Sequence, residues 1–191
     1  IANGSIGKPL YIRLTKHNHD TITGWRTDAA LMGGGALLEG GCHWVNELVS
    51  LAGATPVAVQ AIKADVAYQT NIPFEDTIHI TVKFDNGTFG TLFHSWFVSN
   101  TFKGMALSKI YGTEGNITFE SNGLFTFVNG NRFALRFSFS DFLGFGAMHR
   151  SFIDNYRTQQ PWEPDYLRIR KELALIEAAY RSLKTHKFEE I

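Results

Sequence analysis

An alternation of polar and apolar side chains in the middle of the chain most constrains how it can fold. Residues 77–84 place their apolar members on one side of an extended chain: Ile78, Ile80, Val82 and Phe84. The dipeptide Asn86-Gly87 follows at once and is typical of a hairpin turn, so residues 88–97 are predicted to return as the neighbouring strand. The sequence therefore predicts an antiparallel sheet with one face on a hydrophobic core.

The same pattern continues on both sides of this hairpin. Further strands are predicted at residues 11–15, 57–66, 109–112, 116–120, 124–128 and 132–139. Helical spacing returns near the end of the chain, where Met148, Phe152 and Tyr156 mark one segment and Asp165 is a predicted N-cap of the last helix. The predicted core stripe of that last helix is Ile169, Leu173, Ile176, Tyr180 and Leu183.

This order of elements predicts a single α+β domain over residues 1–191, with a largely antiparallel open sheet and helices packed on one face. The chain has 16 Phe, 4 Trp and 6 Tyr, concentrated between residues 84 and 156. A sheet face rich in aromatic side chains is rarely left in water. We therefore expect the second face to meet another subunit or domain, and we predict a homo-oligomer through this face.

A glycine-bounded segment carries the best candidate for chemistry. Gly33-Gly34-Gly35 opens a predicted helix, and Gly53 closes it in the left-handed conformation. One face is apolar at helical spacing: Leu38, Cys42, Val45, Val49 and Ala52. The adjacent face is polar: Glu39, His43, Asn46 and Ser50. Glu39 and His43 are four residues apart, one turn above the other, which is close enough to share a proton.

Two interpretations of the Glu39–His43 pair are open from its spacing. Such a pair is common on the solvated side of a helix. However, Gly40 and Gly41 each cost a helix interior about 1 kcal/mol relative to alanine, which indicates that another group approaches the backbone there. The neighbouring apolar stripe also places the pair beside the core. These features favour a role in a site.

The loop before this helix holds further polar candidates. His17 and His19 lie within residues 16–23, but no third ligand has a spacing diagnostic of a metal, so we expect a site-lining loop and no metal. The Arg26 guanidinium, next to Trp25, could make a two-pronged contact with a hydroxyl or carboxylate, or a surface salt bridge. The three glycines favour a tight turn into the helix over a phosphate cradle, because no strand leads into them and no G-x-G-x-x-G pattern is present.

A family resemblance rests on these residues. The pattern Gly-Gly-Gly-x-Leu-x-acid-x-Gly-x-His-x-x-acid/amide over residues 33–46, preceded by Gly24-Trp25-Arg26, resembles the C-terminal domain of the glucose–fructose oxidoreductase / inositol dehydrogenase family. Residues 4–10 and 110–115 are similar to two strands of that domain. The resemblance implies that Glu39 and His43 face a sugar and a nicotinamide. Two departures are visible, because Glu39 replaces the family's usual aspartate and Asn46 replaces a frequent one.

The resemblance implies the substrate and oligomerisation half of an oxidoreductase that uses NAD or NADP to act on a sugar or cyclitol. His43 would be the base or its partner, Glu39 would orient it, and four residues would help to bind substrate: Arg26, Trp25, Asn46 and His19. The dinucleotide-binding domain and its catalytic lysine would lie in an N-terminal half absent from this chain. Two alternatives are a non-catalytic homolog that serves assembly or ligand sensing, and a glycosidase that uses its nicotinamide transiently.

Composition limits the classes of partner. The 18 Lys and Arg residues balance 18 Asp and Glu residues, which gives no electrostatic case for nucleic acid or an anionic membrane. The chain has a single cysteine, Cys42, which excludes an internal disulfide. The sequence shows no signal peptide and no apolar run of membrane-spanning length, so a cytoplasmic setting is expected. His79 and His94 fall on predicted strands, where we expect hydrogen-bonded structural side chains.

Overall fold

The computed structural model describes residues 4–66, 72–100, 102, 104–138, 144–158 and 166–191, with residues 166–168 described by their backbone alone. The helices are α1 Ala29–Met32, α2 Ala36–Glu39, α3 Gly41–Ala52, α4 Phe145–Arg157 and α5 Tyr166–Thr185, with a 3₁₀ turn at Gly24–Thr27. The strands are β1 Pro9–His17, β2 Pro56–Lys63, β3 Thr77–Phe84, β4 Phe89–Ser95, β5 Leu107–Gly112, β6 Asn116–Glu120, β7 Phe125–Asn129, β8 Ala134–Phe137 and β9 Glu189–Glu190. The N-cap predicted at Asp165 lies outside the described residues.

In the described part of the chain the strands form one open sheet of nine, in the order β8-β7-β6-β5-β1-β4-β3-β2-β9. Every neighbouring pair is antiparallel except β1 and β4, which run parallel. The predicted α+β fold with a largely antiparallel open sheet is therefore confirmed. The parallel pair has a consequence for function, since it places the carboxyl ends of β1 and β4, His17 and Ser95, side by side.

The predicted hairpin and its apolar face are both present. β3 and β4 pair antiparallel around a turn at Gly87, whose φ is 84°. The apolar side chains of β3 are at most 4 % exposed. They pack with Val45 and Leu48 of α3 and Leu175 of α5, all of which are fully buried. α3 and α5 thus cover the inner face of the central strands.

The helix predicted after the glycines differs from expectation in two ways. It is divided at Gly40 into α2 and α3, and it ends as predicted at Gly53 in the left-handed conformation. Its buried face is also rotated, because Leu38 and Cys42 are only half-buried whereas Leu48 is fully buried. The break at Gly40 changes the phase between the residues before and after it, which a continuous 3.6-residue period cannot anticipate.

The apolar stripe of α5 is only partly in the core. Ile176 is buried, but Leu173 and Ile169 are 45 % and 42 % exposed and line a groove beside α3. The apolar residues predicted for α4 are exposed as well: Met148, Phe152 and Tyr156. Side chains at these positions follow helical spacing without being covered by this domain.

Candidate functional site

The carboxyl ends of β1 and β4 form a corner in which the loop residues predicted to line a site come together. The Asn18 amide donates to the Ser95 carbonyl at 3.0 Å, and the Asp20 amide donates to the Trp96 carbonyl at 2.8 Å. The backbone after β1 is thereby tied to the backbone after β4. Crevices outside the carboxyl ends of parallel strands are common ligand sites, because loops from neighbouring strands diverge there. We call this region, with the 3₁₀ turn and the helix break at Gly40 above it, the β1–β4 corner.

Glu39 is the centre of the polar contacts in this corner. Its Oε2 accepts a hydrogen bond from Arg26 Nη2 at 3.0 Å and another from Trp96 Nε1 at 3.1 Å. Arg26 also reaches the Asp20 carboxylate at 3.4 Å, and its guanidinium carbon lies 5.2 Å from the centre of the Trp96 ring. The Arg26 side chain is only 20 % exposed, so this ion pair is partly shielded from water. A carboxylate held from two sides is a fixed acceptor at a defined place.

His43 stands apart from Glu39. It is exposed on the first turn of α3, and among the described residues no hydrogen bond joins the two side chains. The helix break at Gly40 separates the two residues. The structure therefore shows no contact through which Glu39 and His43 could share a proton, as their spacing had suggested. His43 instead lines a groove of about 250 Å³ between α3 and α5, together with Cys42, Asn46, Glu172 and Leu173.

Asn46 has a structural partner in that groove. Its Nδ2 donates to Oε1 of Glu172 at 2.7 Å, which links α3 to α5. Glu172 is 7 % exposed, and sequence reasoning had no signal for it because the two residues are 126 positions apart. Asn46 and His43 therefore share one face of α3, whereas Glu39 belongs to the β1–β4 corner.

The remaining predicted residues surround the corner. The His19 ring packs edge-on against Phe97, with 6.5 Å between ring centres. Trp25, on the 3₁₀ turn, is 55 % exposed and offers an accessible indole next to Arg26. The half-buried Cys42 lies on the groove side, and burial raises the pKa of its thiol above the usual value.

His94 corrects the expectation that strand histidines would be hydrogen-bonded. It is 6 % exposed on β4, and neither ring nitrogen has a hydrogen-bond partner among the described residues. Burial lowers the pKa of His94 to about 4; the backbone of Lys16 opposes this shift, and the charges of Lys16, His17 and His43 add to it. The ring is therefore neutral near pH 7.

Buried side-chain atoms without a partner are concentrated in this one region. Within the described ranges they are Asn18 Oδ1, Arg26 Nε, His94 Nδ1 and His94 Nε2. Asn18 is hydrogen-bonded to Ser95, and Arg26 lies over the ring of Trp96. His94 is the residue directly before Ser95 and Trp96 in the sequence. An unpaired buried polar atom costs about 1–3 kcal/mol, so natural proteins leave few of them outside sites that bind water or a ligand. The cluster marks the β1–β4 corner as the candidate site.

The glycine turn before α2 already holds a carboxylate from the protein itself. Glu75 Oε1 accepts hydrogen bonds from the Leu37 amide and the Tyr180 hydroxyl, both at 3.1 Å. The Glu75 carbonyl accepts from the Ala36 amide at 2.9 Å, and the Gly35 amide donates to the Tyr180 hydroxyl at 3.0 Å. The amides that would cradle a phosphate are thus engaged, and the residues present do not fit a dinucleotide pyrophosphate at this turn.

The described residues hold neither a metal-ligand cluster nor a membrane-spanning helix. No three His, Cys, Asp or Glu side chains in those ranges are grouped as a metal site requires. No described helix is long and apolar enough to cross a membrane.

Comparison with known proteins gives matches by sequence family and by structure. A family model described as the GFO/IDH/MocA C-terminal domain matches residues 1–118, more than half of the chain. No curated protein sequence matches the chain.

Several solved structures share the fold. The aldose-aldose oxidoreductase from Caulobacter crescentus, complexed with glycerol, is 21 % identical with a TM-score of 0.82, over 100 % of this chain and 58 % of that protein. An NAD binding oxidoreductase from Klebsiella pneumoniae is 18 % identical with a TM-score of 0.82, over 100 % of this chain and 60 % of that one. A levoglucosan dehydrogenase in complex with NADH and levoglucosan is 17 % identical with a TM-score of 0.82, over 100 % of this chain and 60 % of that one. At these identities the likeness is one of fold, and the chain spans about three fifths of each protein's length.

Proposed function

Because the chain belongs to the GFO/IDH/MocA C-terminal domain family, in agreement with the resemblance, we propose that it is the substrate-binding half of an NAD- or NADP-dependent oxidoreductase that acts on a sugar, sugar derivative or cyclitol. The single observation that carries the proposal is the cluster of unpartnered buried polar atoms beside Glu39, Arg26 and Trp96. A polyhydroxylated ligand offers both donors and acceptors, which is what such a cluster requires. The exposed indole of Trp25 adds an apolar surface of the kind that sugar rings contact.

The roles of the residues follow from their placement. Oxidation of a carbinol removes a hydride from carbon and the hydroxyl proton, which must pass to a base. His43 is exposed on the first turn of α3, and histidine is the side chain that most often serves as a general base, so it is the residue proposed to take that proton. Glu39, fixed by Arg26 and Trp96, is proposed to orient substrate hydroxyls, with Arg26, His19 and Asn46 around it. This assigns Glu39 to the substrate and not to direct tuning of His43.

The cofactor, when bound, supplies the hydride acceptor. Within this chain only the surface around His43 is proposed to face its nicotinamide ring. The glycine turn is filled by Glu75, so the pyrophosphate and adenosine are proposed to bind a separate dinucleotide domain of a longer polypeptide. The solved structures of the same fold leave room for one, since each is longer than this chain.

The proposal is tested by assaying the full-length polypeptide with NAD and NADP against a panel of aldoses, sugar derivatives and cyclitols. We expect at least one substrate to give reduced nicotinamide, followed by its absorbance. Release of free sugar from a glycoside without net reduction would instead support the glycosidase. Binding of a sugar without either reaction would support the non-catalytic homolog, and absence of binding to the whole panel would contradict all three.

The outer sheet face is proposed to form a homo-oligomer. It carries Tyr11 stacked between Phe89 and Tyr111, with ring centres 4.7 and 5.6 Å apart, and a groove of about 330 Å³ further along. The groove is lined by Leu107, Thr118, Phe125, Phe127, Leu135 and Phe137. Several of these apolar side chains are about half exposed, which is rare over so large a patch on a monomer.

Light scattering on the 191-residue chain at micromolar concentration should therefore give a dimer or a larger assembly. Replacing Leu135 and Phe137 together by glutamate should shift it to the monomer, because charged groups on that patch would have to be desolvated in the interface. Leu31→Glu is the control, since Leu31 is 67 % exposed on α1, away from this face. A monomeric unmodified chain would contradict the proposal.

A further inference from the structure

His94 contributes two nitrogens to the buried cluster, but none of the proposed roles assigns it a contact with the substrate or the cofactor. It lies on the inner face of β4, in register with Lys16 of β1 and Ile78 of β3. The backbone of Lys16 approaches the ring, but no described atom completes a hydrogen bond with either nitrogen. A leucine at this position would fill the space without leaving two polar atoms unpaired. The imidazole therefore carries a cost that packing alone does not require.

The ring lies directly under the helix break. A Cβ built on Gly40 would be 3.3 Å from His94 Nε2, and one built on Gly41 would be 3.3 Å from His94 Cδ2. Both glycines therefore allow the backbone between α2 and α3 to rest on the imidazole edge. This contact accounts for Gly40, and at Gly41 it acts together with the Ala36 carbonyl oxygen, which would be 3.1 Å from an added Cβ.

The break itself lacks a capping side chain. Gly40 is the N-cap of α3 and makes no side-chain hydrogen bond to the amides of the first turn. Amides at a helix start need acceptors. The His94 Nε2 lies 3.3 Å from a Cβ built on Gly40, and a neutral imidazole nitrogen at this backbone can accept a hydrogen bond through a bridging water, whereas an imidazolium cannot.

The charges around the ring favour the neutral form. Lys16 and His17 approach from β1 and His43 approaches from α3, and each disfavours a second positive charge. The carboxylate of the corner, Glu39, is already bonded to Arg26 and Trp96. No described acidic group is therefore placed to stabilise a protonated His94.

We propose that His94, as a neutral imidazole under Gly40 and Gly41, is a positioning residue that fixes the helix break and so sets where Glu39 and His43 present their side chains. Glu39 ends α2 on one side of the break, and His43 stands on the first turn of α3 on the other. Displacements of about 1 Å at such groups cost up to about a hundredfold in turnover. The effect on turnover rests on the proposed function, whereas the effect on the break does not.

Three variants test the proposal: His94→Leu removes the nitrogens, His94→Gln keeps a polar atom near the position of Nε2, and His79→Leu is the matched control. His79 lies on the adjacent strand β3 but in register with Phe93, on the opposite sheet face. In the 191-residue chain, His94→Leu should move the amide resonances of Gly40 and Gly41 and leave that of Gly87 in place. His94→Gln should restore them in part, and His79→Leu should not move them.

In the full-length protein, His94→Leu should lower kcat at least about tenfold with KM within about twofold, and His94→Gln should recover most of the loss. In the unmodified chain the Gly40 and Gly41 amides should also titrate with a midpoint near pH 4, the pKa of His94, and the amplitude of this step should be smaller in His94→Gln, which leaves the neighbouring Glu39 carboxyl in place. That titration keeps the test available if His94→Leu does not fold.

Unmoved glycine resonances, or no such titration, would overturn the proposal. Moved resonances with an unchanged kcat would overturn its catalytic consequence. Failure of the proposed function itself is distinguishable, because the full-length protein would then give no turnover with any substrate of the panel, whereas the glycine resonances would still move in His94→Leu.

Discussion

Replacement of His43 by alanine in the full-length protein is expected to lower kcat by about 10²–10⁴ while leaving cofactor affinity nearly unchanged. The reason is that a positioned base removes the hydroxyl proton as the hydride leaves, and alanine provides no group for that proton. His43 is exposed and few contacts hold its ring, so the substitution should not disturb the fold. Steady-state kinetics on the best substrate of the panel, with the cofactor dissociation constant measured separately, checks both parts.

His149→Ala is the matched control for this substitution. His149 is also an exposed histidine on a helix, α4, but it is remote in sequence from the corner and from the α3–α5 groove lined by His43. Its variant should keep wild-type turnover. If His43→Ala also turns over at the wild-type rate, the base is another residue and His43 is a surface side chain with no part in the reaction.

The fold could be predicted because its evidence is local in the sequence. Period-two alternation over residues 77–84 and the Asn86-Gly87 turn describe β3, β4 and their connection within twenty residues. Each later hairpin also joins two strands that are consecutive in the sequence, so its evidence is local as well. The position of β1 was hidden, since nothing in residues 9–17 indicates that they insert between β5 and β4, and the short edge strand β9 was not predicted.

The candidate site was predicted less completely because it depends on that insertion. The parallel pairing of β1 with β4 places Lys16 beside His94 and brings Asn18 to Ser95, contacts that span about eighty residues. His94 therefore looked like an ordinary strand histidine, and Trp96 had no visible role. The motif resemblance singled out Glu39 and His43 as candidates, but it did not indicate that Arg26 and Trp96 would be the hydrogen-bond partners of Glu39.

The two helix glycines show where a local rule and the whole fold disagree. Propensity alone marks Gly40 and Gly41 as costly in a helix, which indicated a close approach without identifying its origin. The structure supplies the approaching group, the ring of His94. A conflict between local preference and fold thus pointed to the site before any contact was known.

The second large effect is expected from Gly35→Ala, which should lower the free energy of unfolding by about 3–5 kcal/mol. Gly35 is required here by space and not by its backbone angles, since its φ is −93°. An added Cβ would be 2.2 Å from Glu75 Oε2 and 2.4 Å from the Glu75 carbonyl oxygen. The carboxylate would have to leave the amide of Leu37 and the hydroxyl of Tyr180, so overpacking and the loss of buried hydrogen bonds act together.

Urea denaturation of the 191-residue chain measures this effect, and Gly53→Ala is its control. Gly53 has a φ of 59° and nothing within 4 Å of an added Cβ, so its variant carries backbone strain of about 1 kcal/mol but no clash. Glu75→Gln, which keeps an acceptor for Leu37 and Tyr180, should cost less than Gly35→Ala. A stability of Gly35→Ala within about 1 kcal/mol of the unmodified chain would mean that Glu75 is not held at this turn. The amides of the glycine turn would then be available to an anion, and the cofactor phosphates would no longer need a separate domain.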